Sequence, residues 1–175
     1  LGLNKTTLLD YPNRVACTIF LGGCNLRCPF CHNKDIVLVS DCIETYSQDE
    51  IFSFLKKRSG ILTGVCITGG EPTLHSDLPD LIAAIRQLGY KVKLDTNGSN
   101  PAMLASMIAD GLIDYCAMDI KNCPKKYDMS VSFSASPTPA VYDFEDIRQS
   151  AALLLSQPCG GKNGFSYEFR TTLVK

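Results

Sequence analysis

The sequence predicts an α/β fold with parallel strands, and three observations carry that prediction. Apolar, often β-branched runs recur at 15–21, 64–68, 91–95, 115–120 and 167–174 and read as strands. Segments with helical period and clear end signals lie between them. Strands that alternate with helices are joined by right-handed crossovers, which set neighbouring strands parallel.

The elements follow in order. The leader, 3–13, holds Thr6-Thr7-Leu8-Leu9 and Tyr11-Pro12-Asn13, and reads as a short edge strand and a turn. Ser47-Gln48-Asp49-Glu50 is a capping box, since Ser47 can cap the Glu50 amide while Glu50 reaches back. Ile51, Phe54 and Leu55 continue it as an apolar stripe, and Gly60 lies just past its end. A second helix begins after Asp77, buries Leu78, Leu81, Ile82, Ile85 and Leu88, and stops at Gly89. A third follows Asn100-Pro101 with Leu104, Met107 and Ile108 and ends at Gly111. The fourth, 144–156, places Ile147, Ala151 and Leu154 on one face. The longest gap, 122–142, is rich in Ser and Pro and reads as a surface loop, with a lid or partner-docking role as the other reading.

Composition narrows the function. The 175 residues suit one domain over 1–175 and can bury a substantial core. Seventeen basic against eighteen acidic residues give a net charge of −1, which offers no electrostatic footprint for nucleic acid. No apolar stretch approaches the ~20 residues that span a bilayer, so no membrane role is expected. The first residues carry no export signal, and the expected location is cytoplasmic. Nine cysteines are too few for a disulfide scaffold and odd in number. In a reducing compartment they mean metal, catalysis or core.

Three of them are grouped. Cys24, Cys28 and Cys31 fall within eight residues directly after the first central strand, behind Gly22-Gly23. Three thiolates from one loop can hold a four-iron cluster and leave one iron free for another ligand, whereas four would close it. Phe30 beside the last of them can keep water away. A zinc site would have to add His32, and adjacent Cys31 and His32 fit poorly around one tetrahedral ion. Cys17, Cys66 and Cys116 lie in predicted strands and read as core, while Cys42, Cys123 and Cys159 are isolated in loops.

The ends of the other strands are polar, where parallel α/β folds gather reactive groups. They carry Gly69-Gly70-Glu71-Pro72, then Asp95-Thr96-Asn97-Gly98, then Asp119-Ile120-Lys121, then Arg170-Thr171. Gly69 and Gly70 let backbone approach a ligand, and Glu71 can accept hydrogen bonds from an ammonium group. Taken singly, these are a helix-opening turn, an Asx turn and an ion pair.

The CxxxCxxC spacing with Phe30 before its last cysteine resembles the signature of the radical S-adenosylmethionine enzymes. Nearly the whole chain is similar to that family's glycyl-radical-enzyme activases. The similarity runs from Lys5-Thr6-Thr7-Leu8-Leu9-Asp10-Tyr11-Pro12, through Gly-Gly-Glu-Pro-Thr-Leu and Leu-Asp-Thr-Asn-Gly, to Tyr167-Glu168-Phe169-Arg170-Thr171-Thr172.

The resemblance implies a partial (β/α) barrel of five to six parallel strands and a 4Fe–4S cluster on Cys24, Cys28 and Cys31. It implies S-adenosylmethionine held by Gly69, Gly70, Glu71, Asp95, Thr96, Asp119, Lys121 and Arg170, with a monovalent cation at Asp95, Thr96 and Asp119. Flavodoxin or ferredoxin would supply an electron, and the 5′-deoxyadenosyl radical would take hydrogen from a backbone glycine of a partner enzyme. Anaerobic ribonucleoside-triphosphate reductase is the first partner expected. Pyruvate formate-lyase, or a small molecule or peptide in place of a partner enzyme, is the alternative. Two departures accompany it. Between Cys31 and Gly69 stand only Cys42 and Cys66, so no auxiliary cluster is expected. The chain also stops where the family supplies a final strand and a further histidine, so a C-terminal truncation is expected, and His75 cannot be assigned that histidine's role.

Overall fold

The computed structural model describes residues 1–37, 45–132, 138–158 and 164–173. The readings of Cys42, Cys159 and Val174 fall outside them.

Six strands form one open sheet in chain order: β1 (Gly2–Thr7), β2 (Ala16–Leu21), β3 (Gly64–Gly69), β4 (Lys91–Thr96), β5 (Tyr115–Asp119) and β6 (Ser166–Arg170). Strands β2 to β6 are parallel, and β1 is antiparallel to β2 at one edge. The leader is therefore an edge strand as read from sequence, and the sheet is a partial (β/α) barrel with five parallel strands and one antiparallel. The last strand ends at Arg170, short of the predicted 174, and beyond it the Thr171 hydroxyl donates to the Ile120 carbonyl at 2.6 Å.

After the short α1 (Lys34–Val37), helices α2 (Gln48–Lys57), α3 (Leu78–Gln87), α4 (Pro101–Ala109) and α6 (Phe144–Leu155) make the crossovers. The capping box on α2 is formed. Ser47 N donates to Glu50 Oε2 at 2.7 Å, and Glu50 N donates to Ser47 Oγ at 3.2 Å. Asn100 caps α4 by accepting from Met103 N at 3.1 Å.

Alternation along the strands sorts the side chains. Cys17, Ile19, Leu21, Val65, Ile67, Val92, Leu94, Cys116 and Met118 face the helices and build the core with Ile51, Leu55, Ile82, Ile85, Leu104, Met107, Ile147 and Leu154. Positions between them face the hollow of the sheet and are largely polar: Thr18, Thr68, Asp95, Asp119 and Arg170. Cys66 is buried too, but it pairs in register with Thr18 and Lys93 and contacts the Lys93 ammonium at 3.9 Å.

Within 122–142, the described residues 122–132 are not the open loop that composition predicts. A 3-10 turn, Pro124–Lys126, leads into α5 (Tyr127–Val131). Tyr127 is fully buried against Tyr142 and Phe144, with ring centroids 5.7 and 5.0 Å away. A five-residue helix is too short to show an apolar period, so only the packing of Tyr127 reveals it.

Candidate active site at the carboxyl ends of the strands

The loop after β2 carries Cys24, Cys28 and Cys31 to the top of the hollow. It is held from both sides. Arg27 N donates to Val131 O at 2.7 Å, and Val141 N donates to Asn25 O at 2.8 Å, so α5 and the chain before α6 bracket it. Arg27 also turns its guanidinium onto the Cys24 carbonyl at 2.5 Å and its Nε onto Thr138 Oγ1 at 3.0 Å. His75 stands on the other side, its Nε2 2.9 Å from the Gly22 carbonyl oxygen.

A cavity of about 590 Å³ lies under this loop, within the usual size for a small-molecule site. Its wall includes all three cysteines, Phe30, Gly69, Gly70, Asp95, Thr96, Asn97, Asp119, Lys121 and Arg170. The structure thus brings together every predicted site residue but one. Glu71 is fully buried and does not line the cavity. Its oxygens accept from Thr73, Thr96 and Asn97, so its carboxylate faces these donors and not the cavity.

Charge runs in a chain along the hollow. Lys93, almost fully buried, pairs with Asp95 Oδ1, and Arg170 joins Asp95 Oδ2 at 3.1 Å to Asp119 Oδ1 at 2.9 Å. Lys121 closes on Asp119 Oδ2 at 2.9 Å. Burial alone would raise the Asp119 carboxyl, but Lys121 and Arg170 outweigh it and hold the group below the usual carboxylate range. A monovalent cation at these carboxylates has to share four oxygens that each carry a protein cation already. The Thr96 hydroxyl, its third expected contact, is donated to Glu71 Oε1 at 2.7 Å.

Burial pushes the Cys24 thiol up to about 11 and the Cys28 thiol in the same direction. Among the described residues, no three His, Cys, Asp or Glu side chains converge as a site for a single metal ion. The donor set fits an iron–sulfur cluster in kind: soft thiols from one loop, facing one cavity, with Phe30 on its wall.

Sequence reasoning missed several polar contributors, among them Asp10, Thr18, Asn97 and Asn25. Asp10 and Thr18 line the cavity and are joined, Thr18 Oγ1 donating to Asp10 Oδ2 at 2.5 Å. Asn97 donates Nδ2 to Asn25 Oδ1 at 2.9 Å. Asp10 and Asn97 sit inside the quoted leader and Leu-Asp-Thr-Asn-Gly segments, which was the available signal.

A Methanocaldococcus jannaschii protein named as a candidate glycyl-radical enzyme activating enzyme is 34% identical over 99% of this chain and 67% of its own length. The 7-carboxy-7-deazaguanine synthase of Aquifex aeolicus is 32% identical over 57% of this chain and 43% of its own. Among solved structures, anSMEcpe with bound AdoMet superposes with a TM-score of 0.59 at 16% identity, over 87% of this chain and 42% of that one. TYW1 with a lysine–pyruvate adduct gives 0.55 at 19% identity, over 91% and 55%. Among the described residues no helix is long and apolar enough to cross a membrane. The profile of the Radical SAM superfamily matches residues 18–154, which is most of the chain, and the chain belongs to that superfamily.

Proposed function

We propose that this chain is the core of an enzyme that cleaves S-adenosylmethionine reductively and delivers a 5′-deoxyadenosyl radical to a substrate in the same cavity. The observation that carries the reading is the shared wall: Cys24, Cys28 and Cys31 line one cavity with Gly69, Gly70, Asp95, Thr96, Asp119, Lys121 and Arg170. A 4Fe–4S cluster on the three cysteines, fed one electron by flavodoxin or ferredoxin, would supply the electron that splits the sulfonium carbon–sulfur bond. The protein's own residues do the rest. The cysteines hold the cluster, Phe30 limits water, and the chain from Lys93 to Lys121 orients the cosubstrate through fixed charges. A monovalent cation beside Asp95, Thr96 and Asp119, sharing the carboxylate oxygens with Lys93, Arg170 and Lys121, belongs to the same proposal.

For the target, we infer a backbone glycine of a partner protein, with anaerobic ribonucleoside-triphosphate reductase first and pyruvate formate-lyase second. The similarity over 99% of the chain to a candidate glycyl-radical activating enzyme supports this. A small-molecule or peptide target is the second reading, favoured by the 32% identity to a deazaguanine synthase over 57% of the chain. The two relatives are matched over only part of their lengths, so the target is the finer half of the proposal.

Anaerobic reconstitution tests both halves. Iron with labile sulfide, followed by release of 5′-deoxyadenosine and methionine on reduction, is the expected result. Zinc without labile sulfide overturns the reading. Candidate glycyl-radical proteins are then added and followed by electron paramagnetic resonance. A glycine-centred radical supports the activase, and turnover of a small molecule with no such radical replaces it.

A further inference from the structure

The contacts of Gly69, Gly70 and Glu71 point into the protein. A Cβ on Gly69 would stand 2.1 Å from the Leu21 carbonyl oxygen, and one on Gly70 would stand 1.8 Å from that of Gly23. Gly70 N and Glu71 N donate to those two oxygens at 2.9 and 2.8 Å. The glycines therefore let the end of β3 lie directly on the backbone that leads into Cys24.

The Glu71 side chain continues the same connection. Its Oε2 accepts from Asn97 N at 2.6 Å, and its Oε1 accepts from Thr96 Oγ1, Thr73 Oγ1 and Thr73 N at 2.7, 2.6 and 3.1 Å. Three of these donors meet Oε1 and one meets Oε2, and the whole side chain is closed to solvent. Asn97 then passes its side-chain amide to Asn25 Oδ1 at 2.9 Å, one residue after Cys24. The bonds close a ring: cysteine loop to Glu71 backbone, Glu71 carboxylate to Asn97, Asn97 back to the cysteine loop.

We propose that Glu71 is a positioning residue that sets the cysteine loop in register with the Asp95–Asn97 end of β4, and that its carboxylate does not bind the amino group of the cosubstrate. The idea deepens the proposed function and rests on it for the identity of the cosubstrate. Its geometric basis is independent of that, because the ring of bonds lies wholly within the chain. An ammonium ion in the cavity could reach Glu71 only if the packing that closes this side chain to solvent opened.

The test uses Glu71→Gln, Asn25→Ala and their double variant. In the metal-free chain, thermal midpoints for the three form a cycle, and a ring of bonds predicts that the double variant loses less than the sum of the singles. After anaerobic reconstitution, Glu71→Gln is expected to keep the Michaelis constant for S-adenosylmethionine within about threefold while kcat falls about tenfold or more. The electron paramagnetic resonance spectrum of its reduced cluster should already differ from wild type before cosubstrate is added. A Michaelis constant raised about tenfold or more, with kcat and spectrum unchanged, overturns the proposal in favour of direct contact. Additive midpoints overturn it as well. If the wild-type chain takes up no iron and sulfide, the proposed function fails first, and the metal-free cycle alone decides whether Glu71 couples to the loop.

Discussion

Arg170 and Asp119 are register partners on adjacent strands, and the Arg170 guanidinium Nε donates to Asp119 Oδ1 at 2.9 Å. The pair lies on the wall of the cavity, and Lys121 together with Arg170 outweighs burial in setting how Asp119 titrates. Its folded carboxyl sits below the usual range, so the folded state binds that proton less tightly than the unfolded chain. The ion pairs then stabilise fully above the ordinary aspartate value of about 3.9, and that stability is lost as pH falls through the folded value. Asp119→Asn should lower the unfolding midpoint at neutral pH and flatten the acid side of the midpoint-versus-pH curve. Identical acid slopes would refute the assignment.

Cys28→Ala should abolish assembly of the cluster and, with it, cleavage of S-adenosylmethionine. Iron and sulfide analysis together with 5′-deoxyadenosine release measures both. Retained cleavage would sink the site assignment, because Cys28 is one of three thiols lining the cavity.

Tyr127 anchors the short helix that brackets the cysteine loop. It is fully buried between Tyr142 and Phe144, so Tyr127→Ala should cost about 3–5 kcal/mol in urea unfolding. Tyr127→Phe keeps the ring and loses only a long bond, Lys121 N to the phenol at 3.5 Å, so its cost should stay under about 1 kcal/mol. Equal losses for the two would mean that ring packing is not what holds α5.

Ser47→Ala removes the cap of α2, far from the cavity. The expected loss is about 1 kcal/mol, seen as a lower thermal midpoint with an unchanged Michaelis constant for the cosubstrate. A changed Michaelis constant would tie α2 to the site, against its place on the outer face.

Some of this is local and could be read from the chain. The capping box at Ser47 and Glu50, the stripe of Ile51 and Leu55, the cap at Asn100 and the alternation of strands with helices depend on near neighbours, and each is formed. The three cysteines and the polar strand ends were legible because their spacing along the sequence is itself the signal. What depended on distant partners was not legible. Burial of Tyr127 made a helix in a Ser- and Pro-rich stretch, and pairing with β2 decided that the edge strand read from the leader runs antiparallel.

Glu71 marks the division most sharply. By itself the sequence determined that a glycine pair and a carboxylate follow the strand next to the cysteine loop. Only the tertiary structure decided which way that carboxylate turns. Thr96 and Asn97, 25 and 26 residues further on, bring their donors to its oxygens, and no pattern along the chain records that approach. A side chain's chemistry is set by its type, but its role is set by which distant groups meet it, and folding alone brings those groups together.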